Sequence, residues 1–326
     1  MKLDTFLSKI LRDNENNTAK QKLLPIMILL VIVVIPIFVK NMFYINTMIL
    51  IGIYTILALG LSIMVGNVGI LSMGYAAYFA VGAYTTAILS SVFHISYWLT
   101  IPIAVITTGI AGLAIGWPTL RLRGDYLAMV TIGFGEITRI TATNLKITGS
   151  ADGIYNIPSP RIGSFVLGQP SHTYYLSSII AIITFIFVSR LDKSRIGRAW
   201  AAVRSDENAA QAMGINTVWV KLLAFMLSSI FAGLAGTIFA VHMSAVSPET
   251  FTFTLSCMIL LGVVIGGMNN VVGVVIGAAI VVVVPELLRG FASARMLVFG
   301  ITLILMMLFR PQGLFPSAKR TMERGS

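Results

Sequence analysis

The sequence predicts an all-α fold, a polytopic transmembrane bundle of about eight to ten helical spans. Of the 326 residues, 57% are hydrophobic and only 11% are charged, whereas soluble domains carry about 25% charged residues. The apolar residues form long runs without the alternation typical of strands. Because every backbone polar group must be satisfied inside the bilayer, helices are favoured over a barrel.

Ten segments have the length and apolar character expected for spans, since a ~30 Å bilayer core needs about 20 residues of helix. They are 23–39, 45–65, 70–91, 98–117, 126–145, 173–189, 219–241, 252–268, 271–288 and 294–309. The basic residues before the first run are spread too widely for a secretory signal, so this run is predicted to be a retained helix. We expect a cytoplasmic segment 1–22, a membrane domain 23–309 and a cytoplasmic tail 310–326.

The distribution of lysine and arginine predicts the orientation. With ten crossings and a cytoplasmic N-terminus, the inside segments contain 17 of the 23 basic residues and the outside segments contain five. The inside segments are 1–22, 66–69, 118–125, 190–221, 269–270 and 310–326. This positive-inside bias predicts that both termini are cytoplasmic. The formal charge of +11 is accordingly interpreted as contact with anionic lipid and not with nucleic acid.

Segment 66–91 is rich in small residues, which let helix backbones approach closely in lipid. One interpretation is ordinary bundle packing. The other is a broken or re-entrant helix beside a translocation path, because unwound backbone is tolerated in a membrane only where it lines a cavity. The candidate residues for such a path in this segment are Asn67, Gly69, Ser72 and Gly74.

Segment 126–145 is too polar for a lipid-facing helix and is predicted to be interior. Glu136 and Arg139 lie three residues apart, on one helical face, where they can pair. They form either a structural ion pair or a contact with substrate, since intramembrane charges normally face a bundle interior or a cavity. Thr131 and Gly135 of this segment are further pathway candidates.

Two apolar segments near the C-terminus meet at the cluster Gly266-Gly267-Met268-Asn269-Asn270, which is typical of a turn. Gly266 and Gly267 complete the pathway candidates. In the next segment, the spacing of Gly273 and Gly277 is that of a close-packing helix face.

The sequence predicts no catalytic residues, no metal site and no cofactor of its own. It contains no phosphate-binding P-loop motif and no zinc-protease or serine-hydrolase motif. His94, His172 and His242 are far apart in sequence, and Cys257 is interpreted as a small buried hydrophobe.

The segment 190–221 is a polar insert between two apolar runs. Ser205 is a plausible N-cap for a two-turn helix from Asp206 to Met213, with Asp206 and Glu207 in its first turn and Gly214 just after its end. Alanines at 209, 210 and 212 leave one side small. Such a helix either docks in a groove of another protein or is a solvated loop.

Several ordered stretches of the chain resemble the LivM-like permeases of branched-chain amino acid ABC importers, and the resemblance covers residues 40–316. They are GLSIMVGNVGILSMGYAAYFAVGAY (60–84), RLRGDYLAMVTIGFGEITRI (121–140), TGSADGIYNIPSP (148–160), SRIGRAWAAVRSDENAAQAMGIN (194–216), KLLAFMLSSIFAGLAGTIFA (221–240), SPETFTF (247–253) and LFRPQGLF (308–315). The segment ENAAQAMGIN resembles the coupling segment of importer permeases. Tyr75 and the Asn269-Asn270 pair depart from the family pattern.

The resemblance implies a subunit in a bacterial cytoplasmic (inner) membrane that forms half of a pore with a second homologous permease. It also implies two ABC ATPase subunits, which bind the ATP, and an external solute-binding protein. The residues implied in coupling to the ATPase are Arg198, Arg204, Ser205, Asp206, Glu207, Ala209, Ala210 and Gly214.

The substrate implied is a branched-chain, hydrophobic amino acid, and a permease for urea or another small solute is the alternative. A stand-alone ion-coupled transporter or channel is a further alternative, motivated by Glu136 and Arg139. An intramembrane enzyme lacks a nucleophile and base in a recognisable arrangement.

Overall fold

A computed structural model describes residues 41–120, 122, 124–162, 165–287, 300–301 and 314. The segment 1–22, the predicted span 23–39, the predicted span 294–309 except Gly300 and Ile301, and the tail 310–326 except Leu314 lie outside the described residues. Residues from Thr47 onward belong to one compact unit, and the contacts reported below are contacts within it.

The described residues form ten α-helices, two two-stranded antiparallel sheets and three short helical turns. The helices are α1 (Met42–Ser62), α2 (Tyr75–Ser91), α3 (Tyr97–Thr119), α4 (Asp125–Asn144), α5 (Pro170–Asp192), α6 (Arg195–Ser205), α7 (Glu207–Ala212), α8 (Thr217–Met243), α9 (Phe253–Gly266) and α10 (Val271–Leu287). The strands are β1 (Ile154–Tyr155), β2 (Arg161–Ile162), β3 (Phe165–Val166) and β4 (Ala245–Val246), and β1 pairs with β4 and β2 with β3. A π-helical turn covers Ile63–Val68, and 3₁₀ turns cover Lys146–Thr148 and Pro248–Thr250.

Five helical segments among the described residues are long and apolar enough to cross a membrane. They are Met42–Val68, Tyr97–Thr119, Pro170–Asp192, Thr217–Met243 and Pro248–Gly266, with a shorter apolar helix at Val271–Glu286. The eight predicted spans that fall on described residues each correspond to a helix. Helix α2 has only 17 residues, because the first part of its predicted span is not helical.

The chain is broken between α1 and α2. After the π-helical turn, Gly69 adopts a left-handed conformation with φ of 79°, and residues 69–74 are not helical before α2 begins. The amide of Ile70 donates to the carbonyl of Met64 over 2.9 Å, which closes the end of the turn. The break that one interpretation of segment 66–91 required is therefore observed, and so is the close packing that the other required, at Gly74 and Gly82.

The core of the compact unit is the contact of α8 with α2 and α3. A Cβ at Gly82 of α2 would lie 2.5 Å from the Cα of Gly233 in α8, so the two backbones touch. The buried Tyr75 donates from its hydroxyl to the carbonyl of Ser228 over 2.8 Å, and the Ser228 hydroxyl donates to the carbonyl of Gly60 at 2.8 Å. These bonds connect α1, α2 and α8.

Helix α3 presents an apolar face outward from the core. Ile106 and Ile110 are 60% and 61% exposed, and Trp98 and Trp117 lie near the two ends of the helix. The rise between the two tryptophans is about 28 Å at ~1.5 Å per residue, which approaches the ~30 Å hydrocarbon core. Tryptophan is enriched at both membrane interfaces, so this face has the pattern of a lipid-facing surface.

At one end of the bundle, the segments predicted to be outside come together. The carbonyl of Arg161 accepts a hydrogen bond from the Trp98 indole at 2.9 Å, and Ile154 pairs with Val246 across β1 and β4. The amide of Ile157 donates to the carbonyl of Ser244 at 3.2 Å. Long-range backbone pairing thus joins the loops that precede α5 to the loop that follows α8.

The prediction that the polar helix α4 is interior is wrong for this chain by itself. One face packs on α2, but Tyr126, Met129 and Ile137 are 72%, 64% and 59% exposed. The reason is that these apolar residues lie on the opposite face from Thr131, which is buried at 2% exposure.

We expect Gly82→Ala to destabilise the protein and Gly109→Ala to be tolerated. Overpacking of a tight contact costs ~1–3 kcal/mol, whereas a Cβ at Gly109 would meet its nearest atom, Ile230 Cγ1, at an ordinary 3.5 Å. The thermal midpoints of both variants in detergent, measured by loss of the monodisperse chromatographic peak, test this. Equal midpoints would show that the α2–α8 contact adjusts freely.

Candidate functional site

Helices α6 and α7 form a hairpin in the polar insert. Ser194 is the N-cap of α6, because its hydroxyl accepts a hydrogen bond from the amide of Gly197 at 3.2 Å. Asp206 is the N-cap of α7, because its carboxylate accepts from the amides of Asn208 and Ala209 at 2.8 and 3.0 Å. The prediction that Ser205 is the N-cap is wrong: Ser205 ends α6, and its hydroxyl donates to a carbonyl within that helix.

The far side of the hairpin is open. Helix α7 ends at Ala212, and Gly214 follows with a positive φ of 83°, as predicted for its position after the helix. Ala210 faces inward at 4% exposure. We define the hairpin face as the exposed residues Ala209, Ala212, Met213, Gly214 and Trp219. Met213 is 83% exposed and Trp219 is 60% exposed, and the other three residues are alanine or glycine, so the face is apolar.

Two contacts hold the near side of the hairpin against α8. The indole of Trp200, which is fully buried, donates to the carbonyl of Val220 at 2.7 Å. The ammonium of Lys221 lies 2.6 Å from a carboxylate oxygen of Glu207, with side-chain exposures of 11% and 26%. Because Val220 and Lys221 both belong to the first turn and a half of α8, the hairpin is joined directly to the helix that forms the core.

A third contact joins the hairpin to two turns that separate consecutive membrane helices, which we call the two interruptions. The guanidinium of Arg204, near the end of α6, donates to the carbonyl of Gly66 and to the side-chain oxygen of Asn269. Gly66 belongs to the π-helical turn and Asn269 to the turn between α9 and α10. The two interruptions also touch each other, since a Cβ at Gly66 would overlap the carbonyl oxygen of Met268.

A cavity of about 540 Å³ lies beside this junction. Its wall includes residues from both interruptions and from the loops near 120 and 205, namely Val68, Gly69, Leu120, Leu122, Gly124, Arg204, Glu207, Lys221 and Met268. These residues belong to, or adjoin, the four predicted inside segments that the structure describes. The alternation of loops deduced from the basic residues therefore agrees with the arrangement of the loops in space.

Some of the pathway candidates meet at a second contact, deeper in the bundle. A Cβ at Gly74 would overlap the carbonyl of Thr131, and one at Gly135 would lie 3.3 Å from the Cα of Gly74. The Thr131 hydroxyl accepts from the amide of Met73 at 3.1 Å. A cavity of only about 10 Å³ remains here, bordered also by Glu136, which is barely the space of one water. The backbone after the break is thus sealed against α4.

Glu136 and Arg139 pair with each other, as their spacing predicted. Arg139 Nε donates to Glu136 Oε1 at 3.0 Å, and the side chains of Arg139 and Glu136 are 29% and 45% exposed. Because each charge has a partner on the chain, this geometry favours the structural ion pair over the substrate contact.

The remaining candidates are divided between these places. Asn67 and Gly69 lie in and after the π-helical turn, and Gly266 and Gly267 end α9 at the junction. Ser72 is buried in the non-helical segment, with a hydroxyl that has no hydrogen-bond partner among the described residues. Arg198 is exposed on α6 and donates to the carbonyl of Lys193 at 3.2 Å.

Sequence reasoning missed four residues that build the junction: Gly66 and Asn269 as partners of Arg204, and Trp200 and Lys221 as anchors to α8. One signal was available, since Ser194 followed by Gly197, Trp200 and Val203 has the spacing of a capped helix with one buried stripe. The partners of Arg204 were out of reach, because Gly66 and Asn269 are 138 and 65 residues away from it.

With this geometry established, the chain can be compared with known proteins. Residues 43–307 match a family model described as the permease component of branched-chain amino acid transport systems. The chain is 38% identical to the LivM permease protein of a high-affinity branched-chain amino acid transport system from Salmonella typhimurium, over 94% of this chain and 77% of the relative. It is equally similar to the LivM protein of Escherichia coli.

The chain is also 24% identical to the LivH permease protein of Salmonella typhimurium, over 85% of this chain and 95% of the relative. No solved structure matches the chain. The family model covers most of the sequence and includes α1 to α10 almost completely. The chain is thus a multi-pass membrane protein and belongs to the branched-chain amino acid transport permease family.

Proposed function

We propose that this chain is the transmembrane permease subunit of an ATP-driven ABC importer for branched-chain amino acids. In this proposal it resides in a bacterial cytoplasmic (inner) membrane, forms half of the translocation pathway and hydrolyses nothing itself. The observation that carries the proposal is the α6–α7 hairpin, which is fixed to the membrane helices on one side and open on the other.

The hairpin face supports docking of an ATPase over the alternative of a solvated loop. A solvated loop gains little from exposing Met213 and Trp219. The hairpin face, in which these two side chains adjoin small residues, has instead the apolar character that fits the groove of a partner. The opposite side of the hairpin is held by Trp200, Arg204 and Glu207. A force applied at the face is therefore delivered to the bundle and is not absorbed by a flexible loop.

The comparisons support a pore built from two related permeases. Salmonella typhimurium has both a LivM and a LivH permease protein of a high-affinity branched-chain amino acid transport system, and this chain resembles both. Helix α4 supports the same proposal, because its apolar face at Tyr126, Met129 and Ile137 is uncovered within this chain. A second permease on that face would make α4 interior in the assembly.

The cavity at the hairpin end and the closed contact among the pathway candidates together support alternating access. The cavity of about 540 Å³ adjoins the hairpin end, whereas the contact of Gly74 with Thr131 and Gly135 is closed. Such an arrangement is that of a pathway opened toward the ATPase end. ATP-driven movement of the hairpin would then shift the population between two such states.

Co-purification and transport test the proposed function. The tagged chain, extracted from its native membrane in mild detergent, is expected to retain a pair of ATP-hydrolysing subunits and a second permease. Vesicles that contain this assembly are expected to take up radiolabelled leucine only with ATP and an external binding protein. Transport by the chain alone would indicate a stand-alone carrier, and uptake of urea in place of leucine would overturn the substrate.

Ala209→Arg is expected to abolish leucine uptake, while Ala209→Ser leaves it near the wild-type rate. Ala209 is exposed and not part of the hairpin's inner contacts, so a large cation there blocks docking without disturbing folding. The amount of ATPase recovered with each purified variant measures docking directly. Full ATPase recovery with Ala209→Arg would exclude the hairpin face as the docking site.

Glu207→Lys is expected to lower uptake at least about tenfold, a factor that corresponds to ~1.4 kcal/mol. It places two ammonium groups together where Lys221 is almost buried. The double variant Glu207→Lys with Lys221→Glu restores an ion pair and is expected to recover much of the uptake. If the double variant is as inactive as the single one, the pair does not hold the hairpin, and Glu207 has another role.

A further inference from the structure

We propose that Arg204 is a positioning residue that transmits movement of the α6–α7 hairpin to both interruptions of the membrane helices at once. The two interruptions are the π-helical turn at residues 63–68, with Gly69 just after it, and the turn at residues 267–270. The inference rests on the proposed function, and it goes further by naming the residue through which movement leaves the hairpin.

At the first interruption, Arg204 replaces a missing helical hydrogen bond. The carbonyls in the last turn of a helix have no partner within the helix, and the chain leaves the helical path at Gly69. The guanidinium donates to one of these carbonyls, that of Gly66, and its stem packs under Gly69. The position of Arg204 therefore decides where the end of the π-helical turn is held.

At the second interruption, Arg204 holds the residue just before the cap of α10. Asn269 accepts from the guanidinium, whereas the side chain of the next residue, Asn270, accepts from the amides of Val272 and Gly273 at 3.1 and 3.3 Å. Because Asn270 starts α10, a displacement of Asn269 is passed directly to the first turn of that helix.

The two interruptions cannot move independently of each other at short range. Gly66 lies against the backbone of Met268, so the end of α1 and the α9–α10 turn share a contact without side chains between them. The other anchors of the hairpin, Trp200 and Glu207, lead to α8. Arg204 thus extends the connection from the core helix to α1, α9 and α10.

The chemistry of the site suits arginine in particular. Its planar group presents several donors in a fixed fork, so one side chain can hold a carbonyl and an amide oxygen at defined positions. Lysine offers a flexible point charge, and glutamine offers a shorter, neutral donor. We therefore expect Arg204→Lys to retain part of the function and Arg204→Gln to lose it.

The experiment uses the whole assembly purified with the chain. Arg204→Gln is compared with Arg195→Gln, a change at an exposed arginine at the other end of α6. Hydrogen exchange of the amides in 66–70 and 268–274 is measured together with ATPase recovery and leucine uptake. We expect faster exchange in both segments, normal ATPase recovery and at least about tenfold lower uptake for Arg204→Gln, and wild-type values for Arg195→Gln.

Three results would overturn the inference: unchanged exchange in either segment, unchanged uptake, or loss of the ATPase from Arg204→Gln, which would reduce Arg204 to a part of the docking surface. A wild-type assembly that contains no ATPase would instead refute the proposed function, so the two failures are distinct.

Asn269 provides a second pair of variants. Asn269→Asp keeps the oxygen that accepts from Arg204 and is expected to retain uptake, whereas Asn269→Ala removes it and is expected to lose uptake with faster exchange in 268–274. Equal behaviour of the two variants would show that the amide oxygen is not the point of attachment.

Discussion

The structure depends on the close approach of α8 to α2 and α3. In lipid, the hydrophobic effect does not drive helices together, so dispersion contacts and hydrogen bonds must do so. Gly82 and Gly233 remove the side chains that would keep the backbones apart, and the hydroxyls of Tyr75 and Ser228 then reach backbone carbonyls on neighbouring helices. Because α8 also starts at the polar hairpin, this contact also positions the hairpin relative to the core.

The same helix therefore connects the core to the site where we propose that energy enters. Val220 and Lys221 near the start of α8 fix the hairpin, and Gly233, about 20 Å along the helix at ~1.5 Å per residue, fixes α2. Arg204 adds the route to the interrupted helices. The backbone of both interruptions lies outside the regular helical hydrogen-bond ladder, which a membrane protein tolerates where the backbone is buried in protein or lines a cavity.

The sequence was sufficient for local features of the candidate site and failed where two local solutions compete. Gly214 was predicted to follow α7, because its position requires a positive φ. Serine and aspartate are both favourable N-cap residues, and Ser205 was predicted from the sequence to be the cap. The structure shows why Asp206 takes this place: α6, which sequence reasoning did not identify, includes Ser205 as its last residue. Likewise, the sequence did not show that Tyr75 serves a helix contact or that Asn269 serves the Arg204 junction.

By itself, the sequence determined the class of protein and the places of its apolar helices among the described residues, and it offered the break before α2 as one of two interpretations. These depend on composition, on the length of apolar runs and on the placement of charges and glycines, all of which are local properties. Only the tertiary structure decided that Arg204 meets Gly66 and Asn269, that Glu207 pairs with Lys221 and that α4 leaves an apolar face uncovered. Those features depend on which helices are neighbours, and that choice is made by backbone contacts such as Gly82 with Gly233, between residues far apart in the chain.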